Sequence, residues 1–72
     1  MDIVPLMIKV GREWRAVVFP ETWDAVELRL PLFLVEIGLA SSRSQAERLI
    51  KAGAVYIEGE KITQMKATYA LL

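Results

Sequence analysis

Four cations in the second half of the chain have the types and spacing most suited to chemistry. Arg43 opens a segment of helical period, Arg48 and Lys51 recur three residues apart within it, and Lys61 follows a glycine turn. Residues three apart on a helix share a face. An arginine fork and a lysine point charge both bind phosphate oxygens. Ser41, Ser42 and Ser44 surround Arg43. Serines at a helix start cap it, and the free amides there favour a nearby anion. As nucleophiles they would need an adjacent base, and neither a histidine nor a suitably placed lysine is present. The plainer reading of the cations is a solvated face, with Glu47 pairing to Lys51 at i, i+4 for about 0.2–0.5 kcal/mol. Tyr56 is expected to face outward, either packing across a hairpin or stacking on a base, and packing is the preferred reading. Trp14 and Trp23 offer a stacking platform, but closing a small core or covering the helices is their expected role.

Composition narrows the classes. Seventy-two residues hold one domain, whose single core supplies only about 3–5 kcal/mol of net stability. An apolar fraction of 54% argues against disorder. The apolar runs near residues 16–19 and 30–37 are too short for a membrane span, and no signal-peptide pattern opens the chain. No membrane partner and a cytoplasmic location are expected. The absence of cysteine rules out disulfides and thiolate zinc sites. The absence of histidine removes the commonest general base and metal ligand. Glu21, Asp24 and Glu27 make a poor metal cluster, so neither metal nor cofactor is expected. The formal charge is zero, unusual for a nucleic-acid binder, but it is unevenly spread. Residues 1–36 carry six acids against four bases; residues 37–72 carry three acids against five bases.

The elements that must position these side chains are clearest after residue 30. Pro31 occupies a first helical position and Gly38 a C′ position, which predicts a short, mostly buried helix between them. Ser44 and Glu47 have capping-box spacing, predicting a second helix from there to about Ala52, with Gly53 as its C′ residue and Ala46, Leu49 and Ile50 on its apolar face. Then the period becomes two: Val55 and Ile57 point one way, Tyr56 and Glu58 the other. Glu58-Gly59-Glu60 makes a tight turn, with residues 61–63 returning as a strand. Residues 64–72 form a further strand or an unfinished element. Residues 1–29 are less legible. Residues 3–10 read as a strand weakened by Pro5, and residues 11–13 as a turn. Residues 14–19 fit a strand or a short helix equally, ended by Pro20. Residues 22–26 suggest a turn of helix capped by Thr22.

Two short helices joined by a Ser-rich turn, followed by a hairpin, form a recognisable pattern. The run from Leu34 to Ile62, with its Gly38-Leu39-Ala40, Ser42-Arg43-Ser44, Arg48-Leu49-Ile50-Lys51 and Gly53 in fixed register, resembles an S4 domain over about residues 30–63. Within that superfamily it looks most like the C-terminal appendage of bacterial tyrosyl-tRNA synthetases. Its Leu30-Pro31-Leu32-Phe33 opening lacks the Leu-Asp-Lys start common in ribosomal and pseudouridine-synthase relatives. Residues 13–19 are also similar to the linker that precedes the appendage. Leu32 and Glu47 stand where many relatives carry basic residues, and Glu58 where asparagine is frequent; each lowers the positive field. The synthetase's His-x-Gly-His type motif and Lys-Met-Ser-Lys-Ser type loop are absent.

The resemblance implies an α+β, S4-like (alpha-L) fold: two short helices packed on a small antiparallel sheet. It implies an uncertain linker or extra hairpin over 1–29, and an RNA-binding module over 30–72, truncated before a final basic strand. It implies no catalysis, and RNA as partner: tRNA first, ribosomal RNA as the alternative, with loss of RNA affinity in favour of protein contacts as a third possibility. The implied contacts are Arg43, Ser44, Arg48, Lys51 and Lys61, with Tyr56 as a possible stacking residue.

Overall fold

A computed structural model describes residues 5–20 and 22–70. In chain order these form strands β1 (Leu6–Val10), β2 (Glu13–Val17) and β3 (Ala25–Arg29), helices α1 (Leu30–Glu36) and α2 (Arg43–Lys51), and strands β4 (Val55–Ile57), β5 (Glu60–Lys61) and β6 (Lys66–Ala70). The strands make a four-stranded sheet of order β2-β1-β4-β5 and a ribbon of β3 with β6, every pair antiparallel. The architecture is the α+β arrangement that the sequence predicts.

β1 alternates strictly, burying Leu6, Ile8 and Val10 and leaving Met7 and Lys9 half-buried. Its neighbour β4 buries Val55 and Ile57, and Ile8 stands directly opposite Ile57. One face of the sheet therefore lies on the core. The helices cover that core with Leu30, Leu34, Ala46 and Ile50, none with more than 1% of its surface exposed. β3 adds Val26 and Leu28. Among the described residues, no buried side chain is polar or charged.

Both helices end as predicted. Gly38 and Gly53 take φ of +80° and +73°, which a residue without Cβ adopts at little cost. After α1, the Leu39 amide donates to the Leu34 carbonyl and the Gly38 amide to Val35. After α2, Ala54 donates to Leu49 and Gly53 to Ile50. Each is the paired bond set of a Schellman end, which satisfies carbonyls the helix leaves free. The hairpin turn is also as expected. Glu58 and Gly59 both have positive φ, the requirement of a two-residue I′ turn.

Other expectations need correction or completion. The helical turn over residues 22–26 does not form; Ala25 and Val26 begin β3, whose partner β6 lies some forty residues away. Of residues 14–19, Trp14 to Val17 form strand, because β2 pairs along the whole of β1, and Val18 and Phe19 lie beyond its end. Within the expected tail, Lys66 to Ala70 form β6, and Leu71 and Leu72 lie outside the described residues. The second helix starts at Arg43, one residue before the expected cap Ser44. Ser42 is the N-cap, its Oγ accepting from the Gln45 amide at 3.1 Å. Gln45 Oε1 in turn accepts from the amide and hydroxyl of Ser41. The capping pair is thus Ser42 with Gln45, in place of Ser44 with Glu47. Ile3 and Val4 of the first expected strand lie outside the described residues.

Three consequences can be measured. Leu34 has no exposed surface, so Leu34→Ala should cost about 2–5 kcal/mol. That is comparable with the whole stability of a core this size, about 3–5 kcal/mol, and the variant should be unfolded at 25 °C by far-UV circular dichroism. Gly38→Ala should remain folded and lose about 1–2 kcal/mol, the strain of an L-residue in the left-handed region. Tyr69, on β6 opposite Val26, has its phenol pushed above the usual tyrosine value by burial first, and then by the Glu60 and Glu58 carboxylates. The folded state thus holds the phenolic proton more tightly than the unfolded chain. Its contribution is complete below the ordinary tyrosine value and is lost as pH rises through the raised one. Denaturation followed across alkaline pH should show that loss, and Tyr69→Phe should reduce it.

Candidate nucleic-acid interface

The capping arrangement at Ser42 decides how α2 presents its cations. Arg43 and Ser44 become the first two helical residues. Their amides precede the first intrahelical donor, Ala46, which bonds to the Ser42 carbonyl, and the Gln45 amide is taken by the cap. With Ala46 and Ile50 buried, helical geometry sets Ser44, Arg48 and Lys51 at i, i+4 and i+7 on the opposite side. All three are exposed. Arg43 is exposed too, but it lies about 100° around the axis from Ser44, on the flank of the half-buried Glu47. Arg48 and Lys51 occupy the last turn, where the helix dipole also favours cations.

Lys61 reaches this stripe from the sheet. Its side chain lies across Gly53, so a Cβ placed on that glycine would meet Lys61 Cδ, Cε and Nζ at 3.5–3.6 Å. The Lys61 ammonium therefore stands at the C-terminal end of α2, just past Lys51.

Tyr56 is half-buried on the face of β4 opposite Val55 and Ile57. Its direct cross-strand neighbours are Lys9 on β1 and Lys61 on β5. Lys9 Nζ lies 5.9 Å from the Tyr56 ring centroid and 5.3 Å from that of Trp14. Both separations are within cation–π range. Lys9 and Trp14 are themselves cross-strand partners.

Neither tryptophan closes the core. Trp14 is 52% exposed on the edge strand β2, and Trp23 is 46% exposed. Trp23 stacks on Phe19, which stacks on Phe33 of α1, with ring centroids 6.0 and 6.4 Å apart. This aromatic chain covers the outer side of α1, with the exposed Leu32 nearby, and lines an open groove of about 340 Å³. Sequence reasoning missed Lys9 as a member of the basic surface. Its signal was the two-residue period of β1, which sets Lys9 opposite in phase to Ile8 and Val10.

Among the described residues, no group of three or more acids is placed to hold a metal. No helix among them is long and apolar enough to cross a membrane.

The profile of the S4 domain family matches residues 28–66. Relatives of the chain include the tyrosine–tRNA ligase of Moorella thermoacetica, 40% identical over 62 residues, which is 86% of this chain and 11% of that protein. That of Francisella tularensis is 44% identical over 55 residues, 71% of this chain and 14% of the relative. That of Thermotoga maritima is 60% identical over 35 residues, 49% of this chain and 9% of the relative. The chain therefore spans about a tenth of the length of these relatives. No solved structure is significantly similar. With the family profile covering more than half of its length, across both helices and the hairpin, the chain belongs to the S4 domain family of RNA-binding modules.

Proposed function

We propose that the domain grips structured RNA by its phosphate backbone, that tRNA is its partner, and that it works as the appendage of a tyrosine–tRNA ligase. Arg48, Lys51 and Lys61 carry the phosphate contacts, Ser44 and the first-turn amides of α2 add donors, and Arg43 reaches the same backbone from the flank. The module is residues 30–72, and the strands before it complete its core. It performs no catalysis itself, and it resides in the cytoplasm with the rest of the ligase.

The observation that carries this reading is the position of Lys61 across Gly53. It joins a cation of the hairpin to the Arg48–Lys51 end of α2. Charges from two elements then adjoin at this corner, a set suited to recognising the shape of an RNA helix without reading its bases. The neutral total charge does not oppose this, because screening limits distant charges to about 8 Å at physiological salt. The acids of residues 1–36 are therefore felt mainly where they stand. The similarity to tyrosine–tRNA ligases supports tRNA as the partner.

A salt titration tests this. Affinity for bulk tRNA should fall with rising salt. Changing Arg43, Arg48 and Lys51 together to Glu should abolish binding while circular dichroism shows the fold intact. Lys61→Ala should lower the slope of log affinity against log salt by about 0.7–0.9, the loss of one phosphate contact. A slope that ignores these substitutions would remove α2 from the interface. Tighter binding to a ribosomal-RNA fragment than to tRNA would transfer the assignment to the ribosome.

A further inference from the structure

We propose that the outer face of the four-stranded sheet is a second RNA contact, a platform on which unpaired bases stack against Trp14 and Tyr56 while Lys9 and Lys61 hold the adjoining phosphates. This deepens the RNA-binding reading and rests on it.

The registers of the three strand pairs carry the argument. Trp14 is opposite Lys9, Lys9 is opposite Tyr56, and Tyr56 is opposite Lys61. The four side chains therefore form one row running straight across β2, β1, β4 and β5. They are in phase with one another and out of phase with Ile8, Val10, Val55 and Ile57, which face the core. Along the row, aromatic and cation alternate. A single-stranded nucleic acid presents the complementary alternation of π-face and phosphate.

The geometry separates the two rings. Neighbouring strands lie about 4.7–4.9 Å apart, so Trp14 and Tyr56, two strands apart, take separate bases. Lys9 stands between them, within 5.3 Å and 5.9 Å of the two centroids. Those contacts fix the rings without covering Trp14, which remains 52% exposed. An exposed indole on an edge strand contributes little to the core, and stacking gives its free face a partner.

The row is also continuous with the proposed grip. Lys61 is its last member and is the residue that lies across Gly53 at the end of α2. An RNA whose helical backbone follows α2 would bring a neighbouring unpaired segment onto the sheet. Lys9 and Trp14 lie outside the residues matched by the family profile. The platform is therefore assembled by this chain's own first hairpin on the β4–β5 hairpin of the family.

Trp14 reports on its own contact. In a Trp23→Phe background it is the sole indole, and its fluorescence can be followed as a single-stranded oligouridylate or bulk tRNA is added. Both should quench it. Trp14→Ala should weaken oligouridylate binding about 10-fold with the salt slope unchanged, since no charge is lost. Trp14→Phe should recover most of that affinity, which separates stacking from damage to the fold. Lys9→Gln should lower the salt slope by about 0.7. Unchanged Trp14 fluorescence, together with wild-type affinity in Trp14→Ala, would overturn the platform, and the grip would stand if the α2 substitutions still abolish tRNA binding. Quenching by oligouridylate with tRNA binding indifferent to those substitutions would leave the platform and overturn the grip. Binding of neither nucleic acid would overturn both.

Discussion

Ile8 and Ile57 face each other across β1 and β4 with no surface left exposed, and the rest of the molecule depends on the phase this pair sets. Side chains on a strand alternate with a period of two, so a slip of one residue would turn every inward group outward. With Ile8 inward, Lys9 must be outward. With Ile57 inward, Tyr56 must be outward. Trp14 and Lys61 then follow from pairing alone. The apolar contact that holds the first hairpin to the domain thus decides which polar and aromatic groups meet the solvent. Removing an outward residue changes the surface and leaves the core alone. Removing an inward one threatens a fold with only a few kcal/mol in reserve.

α2 is tied to the same sheet by a short piece of backbone. Gly53 ends the helix in the left-handed region, and β4 starts two residues later. The distance between the last helical turn and the outer face of the sheet is therefore fixed by covalent geometry and by the Schellman bonds to Leu49 and Ile50. Lys61 spans that corner. A side chain at position 53 would oppose the left-handed backbone conformation that ends the helix. Helix termination and the packing of the Lys61 side chain meet at this one glycine.

The legible parts of the sequence were those fixed by local chemistry. Pro31, Gly38, Gly53 and Gly59 act within a few residues of themselves; the glycines marked their boundaries, and Pro31 fell one residue inside a helix that starts at Leu30. Capping was only partly local. Ser41, Ser42 and Ser44 are all competent caps, and Ser42 with Gln45 has the same spacing as Ser44 with Glu47. The choice fell to the earlier pair, which leaves Arg43 inside the helix with Ala46 and Ile50 on its buried face. β3 was not read although Val26, Glu27, Leu28 and Arg29 alternate strictly; the run is short, and the partner that makes it a strand, β6, lies far along the chain. Trp14 was ambiguous for a related cause: its period suits helix or strand, and only pairing with β1 decides. For the candidate site, the α2 cations were readable from spacing. The row through Lys9 was not, since it exists only once four strands are in register.

Glu58 shows how a residue that weakens the basic surface can still serve it. It occupies the left-handed position of the turn, φ +53°, where asparagine is easier to accommodate. Asparagine would also spare the domain a negative charge beside Lys61. The glutamate side chain is longer, and its Oε1 accepts from the Met7 amide at 2.8 Å while the Glu58 amide donates to the Met7 carbonyl at 2.9 Å. The carboxylate therefore takes the place of a backbone acceptor one step beyond the last regular pair of β1 and β4. It extends the joint between the hairpin of the S4 family and the strand that carries Lys9. A negative charge at the turn thus helps hold a positive charge on the sheet in its row.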